Sequence, residues 1–212
     1  ERSLRVTILG GGSNVLISDE GTRGLVIRIC IPGITSEELA EGRVRVRVGA
    51  GVLWDAFVAH TIDAELWGCE NLSAIPGTVG ATPVQNVGAY GVEIKDVVES
   101  VEVCDIRDGV LRTLSNSECA FGYRSSVLKT EEGKHFVVTH VTYVLSKTPS
   151  PKLEYVDLAH IFGERTKTPT LLEIRNALIL IRSRKFPDIA MVGTAGSFFK
   201  NPRVSKEQFA LL

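Results

Sequence analysis

The stretch from Ile75 to Gly91 constrains this chain more than any other. It reads Ile-Pro-Gly-Thr-Val-Gly-Ala-Thr-Pro-Val-Gln-Asn-Val-Gly-Ala-Tyr-Gly and contains no charged residue. Glycine permits backbone shapes and close approaches that a Cβ forbids, and proline fixes φ and removes a donor. Such a segment is a poor helix and a poor central strand, yet too apolar for a solvated linker. Backbone N–H groups left over in a buried, irregular segment need partners. Thr78, Thr82, Gln85 and Asn86 add short, uncharged hydrogen-bonding arms. The simplest purpose is to wrap a large ligand whose oxygens and ring nitrogens take those bonds. A tight structural crossover in a β-rich domain is the alternative.

A second glycine cluster lies near the start. The strand-like run Arg5–Leu9 enters Gly10-Gly11-Gly12-Ser13-Asn14. A strand followed by such a turn suggests a phosphate cradle made from backbone amides and a hydroxyl. It is not the Rossmann fingerprint, because Val15 stands where the third glycine belongs and Ser18-Asp-Glu-Gly21 interrupts any helix. No lysine follows as a P-loop requires.

Between and beyond the glycine clusters the pattern is mixed. Leu25–Ile31 and Arg43–Val48 read as strands. The second alternates, so its valines face a core and Arg43, Arg45 and Arg47 face water. The pattern predicts a helix from Leu53 to Ile62, with Leu53, Phe57 and Thr61 at four-residue steps and Trp54 and Val58 alongside, giving one buried stripe. Strands are expected over Val97–Ile106, Val110–Leu114 and Phe136–Leu145, with Asp108-Gly109 as a two-residue hairpin turn. Ser115-Asn-Ser-Glu118 is a capping box that should start a short helix, and Ser205-Lys-Glu-Gln208 is another. Pro149 and Pro151 mark a boundary, after which Thr168-Pro169 caps a helix running through Arg184, with Ile174, Ala177, Leu178 and Ile181 on one face, halted by Pro187. Strands before and after short helices, without regular βαβ alternation, argue for an α+β fold.

Composition narrows the function classes. The formal charge of −1 gives no electrostatic case for nucleic acid or an anionic membrane surface. No apolar run is long enough to span a bilayer. Cys30, Cys69, Cys104 and Cys119 lack C-x-x-C pairing and read as buried thiols in a reducing cytosol. The four histidines share no metal-binding spacing, so no metal site is expected.

Four motifs now stand in order: Gly-Gly-Gly-Ser-Asn, the Ile-Pro-Gly-Thr-Val-Gly loop with Gln-Asn-Val-Gly-Ala-Tyr-Gly, Phe-Gly-Tyr-Arg-Ser-Ser, and Gly-Ser-Phe-Phe-Lys-Asn-Pro. Together, from Val6 onward, they resemble the UDP-N-acetylenolpyruvoylglucosamine reductase (MurB) family of flavoenzymes. The resemblance implies a two-lobed FAD-binding region of the vanillyl-alcohol-oxidase type over residues 1–148, with lobes at about 1–50 and 51–148. Residues 149–212 would be a linker, a substrate loop and the start of an α+β substrate-binding domain. The chain opens on Glu1 and closes soon after a capping box begins, and it is expected to be a fragment of a longer protein.

The resemblance assigns Gly10, Gly11, Gly12, Ser13 and Asn14 to the FAD pyrophosphate. It places Ile75, Pro76, Gly77, Thr78, Gly80, Thr82, Gln85, Asn86 and Gly91 around the rest of a non-covalently held flavin. Ala81 stands where the family often has serine, a lost hydrogen bond worth about 1 kcal/mol. The implied reaction carries reducing equivalents from NADPH, by way of FAD, to the enolpyruvyl β-carbon, after which an acid protonates the α-carbon. Arg124 would stabilise negative charge on the substrate carboxylate, an effect of roughly 3 kcal/mol, and Ser197 would be the proton donor. Outside the resemblance Arg124 reads as an ordinary surface or structural arginine, and Ser197 as a turn serine. Tyr123, Tyr155, Lys185 and Asn201 would hold the uridine diphosphate sugar. The family's C-terminal glutamate has no counterpart here, so this chain should hold FAD but be slow in the second half-reaction. The enzyme implied is a monomer of the cytoplasm, in bacterial peptidoglycan synthesis, with its bearing on cell shape and division. Another flavin oxidoreductase on the same scaffold, or a non-catalytic nucleotide-sugar binding module, are the rival readings.

Overall fold

A computed structural model describes residues 4–163, 166–188, 191–195 and 198–211. In chain order, β1 (Val6–Leu9) and β2 (Leu25–Arg28) form a parallel pair, followed by β3 (Ile34–Glu38), β4 (Arg43–Gly49) and helix α1 (Trp54–Asp63). The two-residue strands β5 (Gly88–Ala89) and β6 (Val92–Glu93) make a small hairpin, and β7 (Val98–Asp105), β8 (Leu111–Ser115) and β9 (Phe136–Ser146) follow. Helices α2 (Val156–Phe162), α3 (Leu171–Lys185) and the short α4 (Lys206–Phe209) complete the described elements.

The central sheet has five strands in the order β3-β4-β9-β7-β8, with antiparallel neighbours throughout. Alternation in β4 sorts its two faces as expected: Val44, Val46 and Val48 are buried, while arginines lie on the outer face. Those arginines are paired across the sheet rather than bare. Arg45 bonds Glu99 at 2.6 Å and Glu37 at 2.8 Å, and Arg47 bonds Glu102. On the inner face Trp54, Phe57 and Tyr143 pack ring against ring, with centroids 4.9–6.0 Å apart. Trp54 Nε1 donates to Leu72 O at 2.9 Å. A fully buried side chain of this size contributes about 1.5–3 kcal/mol. The same buried cluster includes Leu171, Ile174, Leu178 and Ile181, so α3 lays its apolar stripe on the core built by the sheet and α1.

Several sequence expectations change. Leu53 caps α1 and is exposed, because the stripe is carried by Trp54, Phe57, Val58, Thr61 and Ile62. Cys30 is exposed and Cys104 half-buried, leaving only Cys69 and Cys119 as buried thiols. Cys30 follows β2, whose side chains are all exposed. Asp108-Gly109 is not a two-residue turn: Asp105 N donates to Val110 O, enclosing four residues. The buried Asp105 carboxylate accepts from Arg107 and Arg112, each at 2.6 Å at the closest, and opens the loop around them. At Ser115–Glu118 the capping-box bonds form, but only turns follow. Asn116 is held by Lys95 O and Val98 O, and Cys119 O accepts from Val127 N, which bends the chain away. Helix α3 is capped by Thr170 with Glu173, not by Thr168-Pro169.

Glu70, beneath the glycine-rich loop, is only 2 % exposed, and its Oε2 accepts from Gly68 N at 2.7 Å. Burial raises its pKa above the ordinary carboxylate value. The folded chain therefore binds the proton more tightly than the unfolded chain. Its stability falls as pH rises from the ordinary carboxylate range through the raised value. Glu70→Gln is expected to raise Tm at about pH 8 and leave it unchanged near pH 4. Thermal melts at both pH values check this, and an equal shift at both would contradict it.

Candidate functional site

The two glycine clusters, more than sixty residues apart in sequence, lie against each other. A Cβ at Gly10 would stand 2.8 Å from Thr78 Oγ1, and one at Gly11 would stand 3.4 Å from Gly77 Cα. Gly77 has φ +123°, and a Cβ there would be 3.2 Å from Ser13 Oγ. Asn14 Nδ2 donates to Gln85 Oε1 at 3.2 Å, closing the same contact with a side-chain bond. Among the described residues no backbone bond engages the amides of Gly11, Gly12, Ser13, Gly77 or Thr78. The pair of turns is thus a cradle without charged side chains, rich in donors and too narrow for side chains on its inner wall. That donor set suits a pyrophosphate linked to a neutral ring system, so the residues present fit FAD.

The cradle is not uniform. Gly80 N donates to Ala50 O, and a Cβ on Gly80 would meet Ala50 Cβ at 2.5 Å, so this glycine serves close packing against β4's end. Thr82 is buried, with its hydroxyl bonded to Val79 O and shared with Tyr143 Oη at 3.1 Å. Asn86 is wholly buried at φ +47°. Its Nδ2 donates to Glu93 Oε2 and to Gly122 O, and its Oδ1 accepts from Lys95 N. Thr82 and Asn86, expected beside the flavin, thus direct their side chains into the protein. Ile75, Pro76 and Gly91 lie along the accessible part of the loop, with Gly91 at φ +81°.

Asn86 instead fixes the turn that carries Arg124. Gly122 and Ser125 exchange backbone bonds of 3.0 and 3.1 Å, leaving Tyr123 and Arg124 as the two corner residues. Ser126 Oγ donates to Val84 O at 2.8 Å, a second tie to the glycine-rich loop. Arg124 has φ +52°, a left-handed conformation uncommon outside glycine, and makes no ion pair among the described residues. A cleft of about 540 Å³ opens beside this turn, lined by Gly122, Tyr123, Ser125, Lys200, Asn201 and Arg203. Lys200 Nζ sits 5.4 Å from the Tyr123 ring centroid. Ser197, expected as proton donor, lies outside the described residues.

Tyr155 and Lys185 form a separate group. Tyr155 caps α2 and meets the Tyr90 ring edge-on at 5.2 Å. Lys185, in the last turn of α3, bonds Asp157 Oδ2 at 2.6 Å, and that hydrogen bond raises the lysine pKa. Sequence reasoning missed Asp157, Tyr90, Lys200 and Arg203. Only the last two carried a signal, as cations flanking Asn201-Pro202. It also missed Asp55 on α1, which receives a two-pronged bond from Arg175 of α3 at 2.7 and 2.8 Å. Burial opposes the Asp55 charge, but Arg175, the Ala74 amide and Arg182 outweigh it and hold the carboxyl below its usual range.

A mixed α+β frame with a glycine cradle at the foot of a short parallel strand pair is that of a flavin-binding domain of the vanillyl-alcohol-oxidase type. The chain belongs to the FAD binding domain family, whose model matches residues 1–115. It is 42 % identical over 208 residues to the UDP-N-acetylenolpyruvoylglucosamine reductase of Porphyromonas gingivalis, a match covering 98 % of this chain and 61 % of the relative. Among solved structures it is similar to UDP-N-acetylenolpyruvylglucosamine reductase (MurB) from Thermus caldophilus, with a TM-score of 0.63, 29 % identity, and 88 % of this chain and 58 % of that one covered. A solvent-stable cholesterol oxidase shares the fold at a TM-score of 0.50 and 14 % identity, over 68 % of this chain and 30 % of the other. The chain spans about three fifths of the length of the curated relative (61 %). No helix among the described residues is long and apolar enough to cross a membrane.

Proposed function

We propose that this chain is the flavin-binding portion, with the first part of the substrate-binding domain (residues 149–212), of a UDP-N-acetylmuramate dehydrogenase. The reaction is reduction of the enolpyruvyl group of UDP-N-acetylglucosamine enolpyruvate, with NADPH as donor, in bacterial peptidoglycan synthesis. A monomeric protein of the cytoplasm suits it, with consequences for cell shape and division. The observation that carries this reading is the closure of the 10–14 turn on Gly77 and Thr78, with the Arg124 turn tied to the same loop through Asn86 and Ser126.

In this reading the amides of Gly11, Gly12, Ser13, Gly77 and Thr78 hold the FAD pyrophosphate and flavin. When bound, FAD supplies a two-electron carrier between NADPH and the substrate double bond. Hydride addition at the enolpyruvyl β-carbon moves negative charge toward the carboxylate. Arg124 holds that carboxylate through two parallel N–H donors and stabilises the charge as it develops. Ser197 gives the proton to the α-carbon, which balances the step: one hydride and one proton convert the double bond to a single bond. Tyr123 and Asn201 line the cleft that receives the sugar, and Tyr155 and Lys185 take the diphosphate. The test is mass spectrometry of the product made by the complete gene product from NADPH and the enolpyruvyl sugar nucleotide. The expected product carries two more hydrogens than the substrate; NADPH oxidation without it would contradict the reading.

A diphosphate reaching Lys185 has to share or displace Asp157. Asp157→Asn is therefore expected to tighten binding of the UDP-sugar by about threefold at low salt, the scale of an exposed ion pair. Calorimetric titration checks this, and weaker binding would show that Asp157 aims the lysine instead of competing for it.

A further inference from the structure

Ala74 sits immediately before Ile75-Pro76-Gly77, and its backbone is left-handed at φ +59°. A residue with a Cβ holds that conformation only when its surroundings impose it. Here both of its backbone polar groups are taken by side chains from different helices. Its N–H donates to Asp55 Oδ1 of α1 at 2.5 Å, and its carbonyl accepts from Arg182 Nε of α3 at 3.1 Å. The Asp55 carboxylate is itself gripped by Arg175, which lies two helical turns before Arg182 on the same face of α3. Arg182 also lies over the Phe186 ring, 5.0 Å from its centroid, which fixes its direction.

We propose that Asp55 and Arg182 are positioning residues that hold Ala74, and through it the Ile75–Gly80 wall of the flavin cradle, in the conformation that accepts FAD. The inference rests on the flavin reading of the cradle but not on the identity of the substrate. Asp55 has two separable roles: it bridges α1 to α3 through Arg175, and it accepts the Ala74 amide. The first is structural, and only the second acts on the cradle. Because α3 ends in Lys185, the loop facing the flavin and the lysine are set in one frame.

The two roles come apart in a charge swap. Asp55→Asn removes the bridge's charge and weakens the acceptor. Asp55→Arg combined with Arg175→Asp rebuilds a bridge between the helices, yet an arginine has no acceptor for the Ala74 amide. Arg182→Met leaves the bridge intact and removes the hold on the Ala74 carbonyl, together with the cation over the Phe186 ring and its weaker pull on Asp55. Apo protein, prepared from the complete gene product, is titrated with FAD by flavin fluorescence, and Tm is measured without FAD. Asp55→Asn is expected to raise the FAD Kd about tenfold and lower Tm. The swap is expected to recover most of the Tm but little of the affinity, and Arg182→Met to weaken FAD severalfold with Tm nearly unchanged. If the swap restores Kd along with Tm, or if Arg182→Met leaves Kd within twofold of the parent, the positioning role is overturned. Should the swapped protein not fold, Arg182→Met decides alone. No sugar nucleotide enters these titrations, so a protein that binds FAD but does not reduce the enolpyruvyl group would overturn the proposed reaction without touching this result.

Discussion

Arg124→Met in the complete gene product is expected to lower kcat for enolpyruvyl reduction by about 10²–10³, corresponding to roughly 3 kcal/mol of lost charge stabilisation. Flavin binding and its reduction by NADPH should stay within about twofold of the parent, since in the proposed role the guanidinium acts only where substrate charge develops. The structure makes the effect large for two reasons. The side chain stands at the corner of a turn closed by two backbone bonds and tied to the glycine-rich loop at Val84 and Asn86. It makes no ion pair among the described residues that would have to be broken before it could bind a carboxylate. Arg124→Lys keeps the charge but loses the fork, and should fall between the two. Rapid-mixing measurement of each half-reaction separates the outcomes. Equal loss in both would argue that Arg124 supports the fold or the flavin instead.

Gly77→Ala is expected to weaken FAD binding by about a hundredfold, combining roughly 1–3 kcal/mol of backbone strain with displacement of the facing turn. At φ +123° a side chain is strained whatever the space, and here the space is also short, with Ser13 Oγ 3.2 Å from the added Cβ. Relief requires moving the 10–14 turn, whose amides form the other wall. Gly109→Asn makes a useful control: Gly109 also has positive φ, at +72°, with open space around it, and lies in the β7–β8 loop. Asparagine tolerates that region, so FAD affinity should be unchanged. Fluorescence titration of both variants checks the pair, and equal losses would mean that the cradle geometry does not govern flavin binding.

Where sequence reading succeeded, a local physical rule was enough. The alternation of β4, the apolar stripe of α3 and the two glycine clusters are all visible within a dozen residues. The α+β class followed from them, and the order of four motifs pointed to the flavoenzyme family. What a local reading could not reach depended on long-range partners. β3 reads Ile-Thr-Ser-Glu-Glu, which has no apolar period because it is a sheet edge, where Glu37 answers Arg45 of β4 and Glu38 answers Lys147. The capping box at Ser115 forms its bonds, yet Lys95, Val98 and Val127 divert the chain before a helix can propagate. Thr82 and Asn86 look like ligand arms in a one-dimensional reading, and only the folded chain turns them toward Tyr143 and Gly122. Asp55 and Arg175 are separated by 120 residues, and neither announces the other.

The most direct test is the visible spectrum of the purified complete gene product, recorded without oxygen as NADPH and then the enolpyruvyl sugar nucleotide are added. A yellow protein whose flavin absorbance bleaches with NADPH and returns with the sugar nucleotide is the expected result. A colourless protein that takes up no FAD when offered it would contradict the assignment of the two glycine turns, and with it the rest.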